Sequence, residues 1–553
     1  MVRVAGLLAA LFSASVLAGV ILGAGDSSIT NAAKSDDLAA VRKLIASHAD
    51  LNATSGDGST PLLWAAHNSD LEMAGLLLKA GAKPDLPNHY GITPLLEASR
   101  TGDAEMAELF LKAGADPKRT HPEGETTLMA SARAGSVPAV RLFLEHGVDV
   151  NAADSYQHET ALMWAAAEDH LDVVDTLLKA GADPNLQAHV NSLTERKNAD
   201  HPTGGFTALM WAARNGYEDV VGRLVQAGAD LNLKNGDGAS AAMIAIYNDR
   251  FDLAKELWDF GADVNDGSLY TAVEMRDSTT DQFAFDGSRL RPNHPNTLTA
   301  LDLVKLLLER GADPYKPFAG QFHSTSMPNT DRFDNSPFLR AAVESDVETL
   351  KVMIAHGIDI DRIIPVPPAP PKDAPPADAA AAGGRGQRGN PNAGKTPAMV
   401  TMTGGRGPAM TGGPGYIRSG TVPYREPGSR KPEEAFALLV KAGANPNAKG
   451  PDGTPMLQMA AQVGNLDMIH ALANAGVDFK ATNKDGLTAL DVVEGKKPAA
   501  KDAGERGTAP PAAGAARGRG GRGAASSQDV AKLLRQLMGL PPAAAAPAAG
   551  EAQ

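Results

Sequence analysis

Apolar positions along residues 91–124 fall into two short helical stripes separated by glycine-marked turns. Gly91 closes a turn. Thr93 is placed to accept a hydrogen bond from an orphan backbone N–H, and Pro94 follows where its missing N–H costs nothing. Leu95, Leu96, Ala98 and Ser99 predict a short helix that ends at Gly102. A second helix is predicted from Asp103, with Met106, Leu109, Phe110 and Leu111 on its apolar face at the i, i+3, i+4 spacing. Gly114 stops it, and Ala115-Asp116-Pro117 leads into an extended turn.

The same pattern returns at Thr60-Pro61, Thr160-Ala161, Thr207-Ala208, Thr396-Pro397 and Thr488-Ala489. Its second half recurs as Lys-Ala-Gly-Ala at Lys79, Lys112, Lys179 and Lys441. The beat is 33 residues: Gly58, Gly91 and Gly124 keep it, as do Gly81, Gly114 and Gly147, and later Gly453 with Gly486 and Gly443 with Gly476. A fixed period of this size predicts a stacked array in which each unit buries its apolar face only against its neighbours. The pattern G-x-T-[PA]-L-x-x-A-A, a Leu-rich second helix and then G-A-D-[PVL]-N resembles the ankyrin repeat, over about 29–362 and 394–540 apart from insertions. The resemblance implies an all-α ankyrin-repeat solenoid of helix-turn-helix units with β-turn fingers. Second helices end at His48, Gly81, Gly114, Gly147, Gly181, Gly228, Gly261, Gly311, Gly357, Gly443, Gly476 and Gly539, giving about twelve units. The first opens with polar Lys34, Ser35, Asp36 and Asp37, and the last is the short amphipathic segment Asp529 to Leu540, as suits solvent-facing caps.

One departure stands out. The ankyrin motif usually carries a histidine two residues after the proline, which ties neighbouring turns together. Here that position holds Leu63, Leu96, Met129, Met163, Met210, Met243 and Leu339. Stacking is therefore expected to lean on apolar contact, with a different polar network between repeats.

Composition locates the interruptions. The chain has Gly 57 and Pro 38 but only 5% aromatics. The expected organisation is an export signal or anchor over 1–25, repeats over 26–362 and a disordered Pro/Ala/Gly/Arg-rich insertion over 363–393. Repeats resume over 394–495, followed by a low-complexity linker over 496–527, a capping helix over 528–540 and a disordered tail over 541–553. Within the repeats, 189–204 lengthens one turn and 277–297 separates the helices of one unit. Residues 315–335 lengthen the next turn, and 403–431 splits another pair. Insertions of this kind map to the edges of a stack. Phe283, Phe285, Phe318, Phe322 and Phe333 in two of them predict packing onto the array.

Charge narrows the partners. At −13 the folded body is not expected to bind nucleic acid in bulk. The absence of cysteine removes disulfides, thiolate metal sites and thiol nucleophiles. Arg3 precedes an uncharged, mostly apolar run from Val4 to Gly25. That run reads as an export signal, with Gly23 and Gly25 or Ala18 at the cut, or as a membrane tether through residues 4–25. Both place the body outside the cytoplasm, periplasmic or secreted.

Candidate chemistry is sparse, and neither cofactor nor metal is expected. Gly389-Asn-Pro-Asn-Ala-Gly394-Lys395-Thr396 fits the phosphate-loop pattern by letter, but Ala381 to Arg388 before it cannot form the required core strand. The same residues read as a repeat turn and cap. His158, His189, His201, His294 and His323 lie in turns or loops without metal-ligand spacing. No G-x-S-x-G elbow occurs. Trp64, Trp164 and Trp211 share one repeat position and are expected between helices. The Arg/Gly tract 517–523 and eight basic residues within 379–431 offer flexible cationic stretches.

The ankyrin resemblance implies a binding face built from turn tips and the residues after the Ala-Ala pair. On this chain those are His67, Asn68, Arg100, Thr101, Arg133, Glu168, Arg214, Asn215, Tyr247, Asn248, Glu344 and Gln462, with Asp57, His89, Tyr90, Tyr156 and Phe206 at the tips. Varied arginines and aromatics on a constant frame suit a protein partner. The expected function is a non-catalytic, exported protein-binding scaffold. The alternatives are an enzyme or enzyme subunit with its site at the 277–297 and 315–335 loops, and an envelope polyanion binder acting through the Arg/Gly-rich segments.

Overall fold

The computed structural model describes residues 27–191, 203–276, 282–283, 289–290, 296–318, 336–363, 394–402, 428–496 and 525–542. Within them twelve helix pairs follow one another along the chain. They divide into two compact units, 1–182 and 183–553.

The first unit holds five pairs: α1 (Ser27–Lys34) with α2 (Leu38–Ala46), α3 (Pro61–His67) with α4 (Leu71–Ala80), α5 (Pro94–Thr101) with α6 (Ala104–Lys112), α7 (Thr127–Arg133) with α8 (Val137–Glu145), and α9 (Ala161–Ala167) with α10 (Leu171–Lys179). First helices pack on first helices in one row, and second helices form the row behind. The caps explain the helix starts. Thr93 accepts from the Leu96 N–H at 3.1 Å with Pro94 behind it, and Asp103 accepts from Met106 N–H. Gly102 ends α5 in the left-handed region. In α6 the buried residues are Met106, Ala107 and Phe110, while Leu109 and Leu111 stay half-buried. This corrects the predicted stripe. At 100° per residue it centres near Phe110, and the two leucines lie on its edges. The same i, i+1, i+4 triple recurs as Met73, Ala74, Leu77 in α4 and as Val173, Val174, Leu177 in α10.

Two hydrogen-bond ladders, one between backbones and one from backbone to side chain, account for the fixed letters of the repeat. Turn tips bond to one another: His89 N–H donates to Asp57 O at 2.9 Å and Ser155 N–H to Glu123 O at 2.8 Å. A Cβ at Gly124 (φ +88°) would stand 2.4 Å from Ser155 N, so the tip glycine is a matter of space as well as dihedral angle. The second ladder uses the Asn of the G-A-D-x-N run. Asn52 Oδ1 accepts from Lys83 N–H at 2.9 Å, and in the second unit Asn185, Asn232, Asn265 and Asn447 accept from Asp230, Asp263, Asp313 and Asp478 at 2.7–2.9 Å. Polar side chains add links within the first unit. Asn68 Nδ2 donates to Ala33 O at 3.0 Å, and Ser136 Oγ to Gly102 O at 2.7 Å. The positions from which the repeat histidine is missing, such as Leu96, Met163 and Met243, are buried apolar contacts.

The second unit opens with a two-strand hairpin, β1 (Val190–Asn191) antiparallel to β2 (Thr203–Gly204), inside the lengthened turn. Seven pairs follow: α11 (Ala208–Asn215) with α12 (Glu218–Gln226), α13 (Ala241–Tyr247) with α14 (Phe251–Asp259), α15 (Ser268–Met275) with α16 (Ala300–Glu309), α17 (Pro337–Val343) with α18 (Val347–Ala355), α19 (Pro397–Met402) with α20 (Pro432–Lys441), α21 (Met456–Val463) with α22 (Leu466–Asn474), and α23 (Ala489–Val493) with α24 (Ser527–Leu537). Between α15 and α16, β3 (Gln282–Phe283) pairs antiparallel with β4 (Arg289–Leu290). Phe318 is buried and stacks on Tyr270 with centroids 6.1 Å apart, as loop aromatics packing on the array should. The side chains of Phe283, Phe285, Phe322 and Phe333 lie outside the described residues. Among the described residues no helix is long and apolar enough to cross a membrane, and the Val4–Gly25 run lies outside them.

Candidate functional site

In the first unit, three of the anticipated binding residues converge on one hollow of about 740 Å³. Arg100 comes from the end of α5, Arg133 from the end of α7 and Tyr156 from the turn tip before α9; Trp164 of α9 forms part of the wall. The tip is held by Asp154, whose carboxylate accepts from the N–H groups of Tyr156, Gln157 and Glu159 at 2.7–2.8 Å. That fold of the loop leaves the Tyr156 ring 72% exposed at the rim. Arg133 lies over the Trp164 ring, 4.8 Å from its centroid, so the indole face carries a cation from the preceding repeat.

The hollow is unequal in charge. Arg100 is engaged with Glu125, its Nε 3.2 Å from Oε2. Arg133 then faces Glu123, Asp154 and Glu159. Burial pushes the Glu159 carboxyl up to about 7, the neighbouring Asp154 charge adds to the rise, and Arg133 opposes it. Glu159 makes no ion pair among the described residues. The lining contains no serine, cysteine, histidine or lysine to serve as a nucleophile. What it brings together is two aromatic rings, guanidinium groups and carboxylates at an open surface.

The other anticipated residues are distributed more widely. Tyr90 is an exposed tip residue (65%), Glu168 and Asn248 are exposed just beyond their first helices, and Gln462 is exposed in the last turn of its own. His67 Nδ1 lies 2.7 Å from Glu97 Oε1, and Thr101 Oγ1 turns back on Ala98 O at 3.1 Å. His89 is exposed. Asp57 is half-buried, held by hydrogen bonds from Ser55 and Ser59; the Ser55 bond leads in drawing its carboxyl down to about 2. Arg214 and Asn215 are half-buried at the end of α11, with Arg214 over its own helix's Trp211, and Phe206 packs on that indole at 4.9 Å.

Three of the anticipated residues are engaged within the fold. Asn68 is spent on the bond to Ala33 O and holds two repeats together. The Tyr247 hydroxyl is buried beside Thr271, Glu274 and Tyr270, and its ionisation is pushed well up, chiefly by burial. Glu344 is paired with Arg340 at 2.9 Å and nearly covered. All three follow an Ala-Ala-type helix end, but each side chain folds back toward a neighbouring polar group.

The Glu344 pair belongs to a buried charge cluster in the second unit that periodicity did not reveal. Arg276 is 1% exposed and grips Asp346 through Nε at 2.6 Å and Nη2 at 3.1 Å. Arg430 Nη1 reaches the same carboxylate at 2.8 Å, and Thr349 Oγ1 donates to it at 2.7 Å. Burial pulls the Asp346 carboxyl upward, but the arginines outweigh it and hold it below its ordinary value. Beside it Tyr270 donates to Glu274 at 2.7 Å, and Glu274 accepts from Arg340 Nη2 at 3.0 Å. The only prior signal was a set of charges inside otherwise apolar repeats. Arg430 and Lys431, counted among the flexible basic residues, are ion-paired with Asp346 and Glu434.

The remaining motifs resolve as turn chemistry. Thr396 caps α19, accepting from Met399 N–H at 3.4 Å, while residues 389–393 lie outside the described residues. His158 sits in the tip turn at φ 54°, and His201, His294 and His323 lie outside the described residues. The three tryptophans are half-buried rather than fully enclosed, since Lys34, Arg133 and Arg214 each cover an indole face that helix packing leaves open.

A family model for ankyrin repeats (three copies) matches residues 29–121, 102–188 and 189–277. Residues 29–277 of the chain are ankyrin repeats. Among solved structures, it is similar to the human ASB11 ankyrin repeat domain at 23% identity and a TM-score of 0.37, over 42% of this chain and 98% of that one. The comparison with curated proteins gave no match. Ankyrin repeats in general mediate protein–protein interaction, and the fold is typically a non-catalytic binding scaffold.

Proposed function

We propose that this chain is a non-catalytic scaffold, exported from the cytoplasm, that binds a protein partner on the tip-and-helix-end face of its repeats. The observation that carries the reading is the hollow around Arg100, Arg133 and Tyr156, with Trp164 in its wall. Tyrosine, tryptophan and arginine are the residues on which protein interfaces concentrate their binding energy. An open recess lined by them suits a segment of another protein. The export half rests on Arg3 followed by the uncharged run Val4 to Gly25, which places the repeats in the periplasm or outside the cell. Whether that run is removed or stays as a tether does not alter the side on which the repeats work.

The test is chemical cross-linking in native cells followed by fractionation, with the wild type beside a Tyr90→Ala, Tyr156→Ala double variant. The expected result is a protein cross-linked to the wild type outside the cytoplasm and lost from the double variant. Identical cross-links from both forms would remove the binding face. Recovery of the mature chain from the cytosol would remove export.

A further inference from the structure

The hollow in the first unit is selective in sign. Once Arg100 is set against Glu125, one guanidinium, that of Arg133, faces the carboxylates of Glu123, Asp154 and Glu159. Arg133 is itself drawn toward the Trp164 ring. An anionic side chain entering here would meet like charge at every turn tip. A cation would meet three acceptors and an exposed tyrosine ring.

We propose that this hollow receives a lysine or arginine side chain of the partner protein, presented on a basic segment, with Glu159 as the residue that recognises it. The proposal rests on the scaffold reading above and adds the chemistry of the occupant. Charge complementarity is its main support. Partial burial strengthens any charge pair formed in the recess relative to one in open water. Glu159, like Glu123 and Asp154, has no ion pair to give up among the described residues, and unlike Asp154 it is not occupied by the N–H groups of its own turn. The net charge of −13 draws basic partners from a distance.

The site also makes recognition pH-dependent. With its carboxyl at about 7, Glu159 is largely neutral at pH 6 and largely ionised at pH 8. A cation binds the ionised form, so apparent affinity rises with pH across that interval, following the ionised fraction. The charged groups facing Glu159 are Asp154 in its own turn and Arg133 from α7, with Glu123 and Glu125 from the turn before α7 and Arg100 from the end of α5. His158 adjoins the turn, and His170 Nε2 lies 3.0 Å from Arg133 O. Their contribution is separated by the Glu159→Gln variant, which keeps both histidines.

The experiment selects a random peptide library on the full chain at pH 8. It then measures the enriched peptides by fluorescence polarisation against the wild type, Glu159→Gln, Tyr90→Ala and Arg214→Ala at pH 6 and pH 8. The expected peptides carry a lysine or arginine whose replacement by norleucine weakens binding at least tenfold. Glu159→Gln should weaken binding similarly and flatten its pH dependence. Peptides without a basic anchor, or binding that ignores Glu159→Gln yet falls with Tyr90→Ala or Arg214→Ala, would overturn the proposal and leave the scaffold reading in place. An empty pool, or one insensitive to all three substitutions, would end both. Circular dichroism of each variant guards against misfolding as the cause of a loss.

Discussion

Gly124 and Gly114 show how one residue type serves two needs in this repeat. Both adopt positive φ, +88° and +93°. An alanine at Gly114 would find open space and meet only the left-handed penalty of about 1–2 kcal/mol. At Gly124 the added Cβ would also press on Ser155 N and disrupt the 2.8 Å bond to Glu123 O, a further loss of about 1 kcal/mol. Gly124→Ala should therefore lower stability more than Gly114→Ala. Urea unfolding followed by circular dichroism would rank them, and equal midpoints would mean the tip ladder contributes nothing. The same ladder explains part of the 33-residue beat: at Gly58 and Gly124 an added Cβ would meet the backbone of the next tip, at His89 N and Ser155 N.

At the scale of elements, the Asp346 cluster governs how α15, α17, α18 and α20 meet. Arg276 directly follows the end of α15, and Arg430 stands two residues before α20, so one carboxylate joins segments far apart in sequence. Removing it leaves two arginines buried with too few acceptors, which costs about 3–5 kcal/mol. Asp346→Ala should expose the amides of α17 and α18 to hydrogen exchange at neutral pH. The acid limb has a definite sign. A carboxyl held below its unfolded value of about 3.8 adds stability above that value and loses it as pH falls through the lower folded value. Wild-type protection in α17 and α18 should thus collapse only below about pH 3.8, and unchanged exchange in Asp346→Ala would show the cluster to be incidental. Sequence periodicity could not reach this feature. Helix starts, stops and pair number follow from local letters, as Thr93, Gly102 and Gly114 illustrate, and these were legible. The partner of a buried charge is chosen by the stack: Arg276 and Asp346 are 70 positions apart and share no motif. The hollow was half legible for the same reason. Arg100, Arg133 and Tyr156 occupy repeat positions that vary, whereas the significance of Glu159 depends on burial beside Asp154.

For the whole molecule, a stack coupled mainly between neighbours keeps the effect of a charge local. Glu159 provides the test in the first unit. Its folded carboxyl binds a proton more tightly than the unfolded one, with a value of about 7 against 4.5. Between those values the folded state holds more protons, so stability falls as pH rises, and the loss is complete above about 7. The group is partly exposed, and solvent screening reduces the cost to about 1 kcal/mol. Glu159→Gln keeps the side chain's shape and removes its ionisation. It should leave the melting temperature unchanged at pH 4 and raise it by about 2–4 °C at pH 8. Hydrogen exchange should place the gain within residues 27–182 and leave 203–542 as in the wild type. The substitution that stabilises the chain is also the one expected to abolish recognition of a basic partner. That opposition distinguishes a site where binding is favoured at a cost in stability from a carboxylate kept only for the fold. A variant less stable than wild type at pH 8 would assign Glu159 to the frame of the repeat.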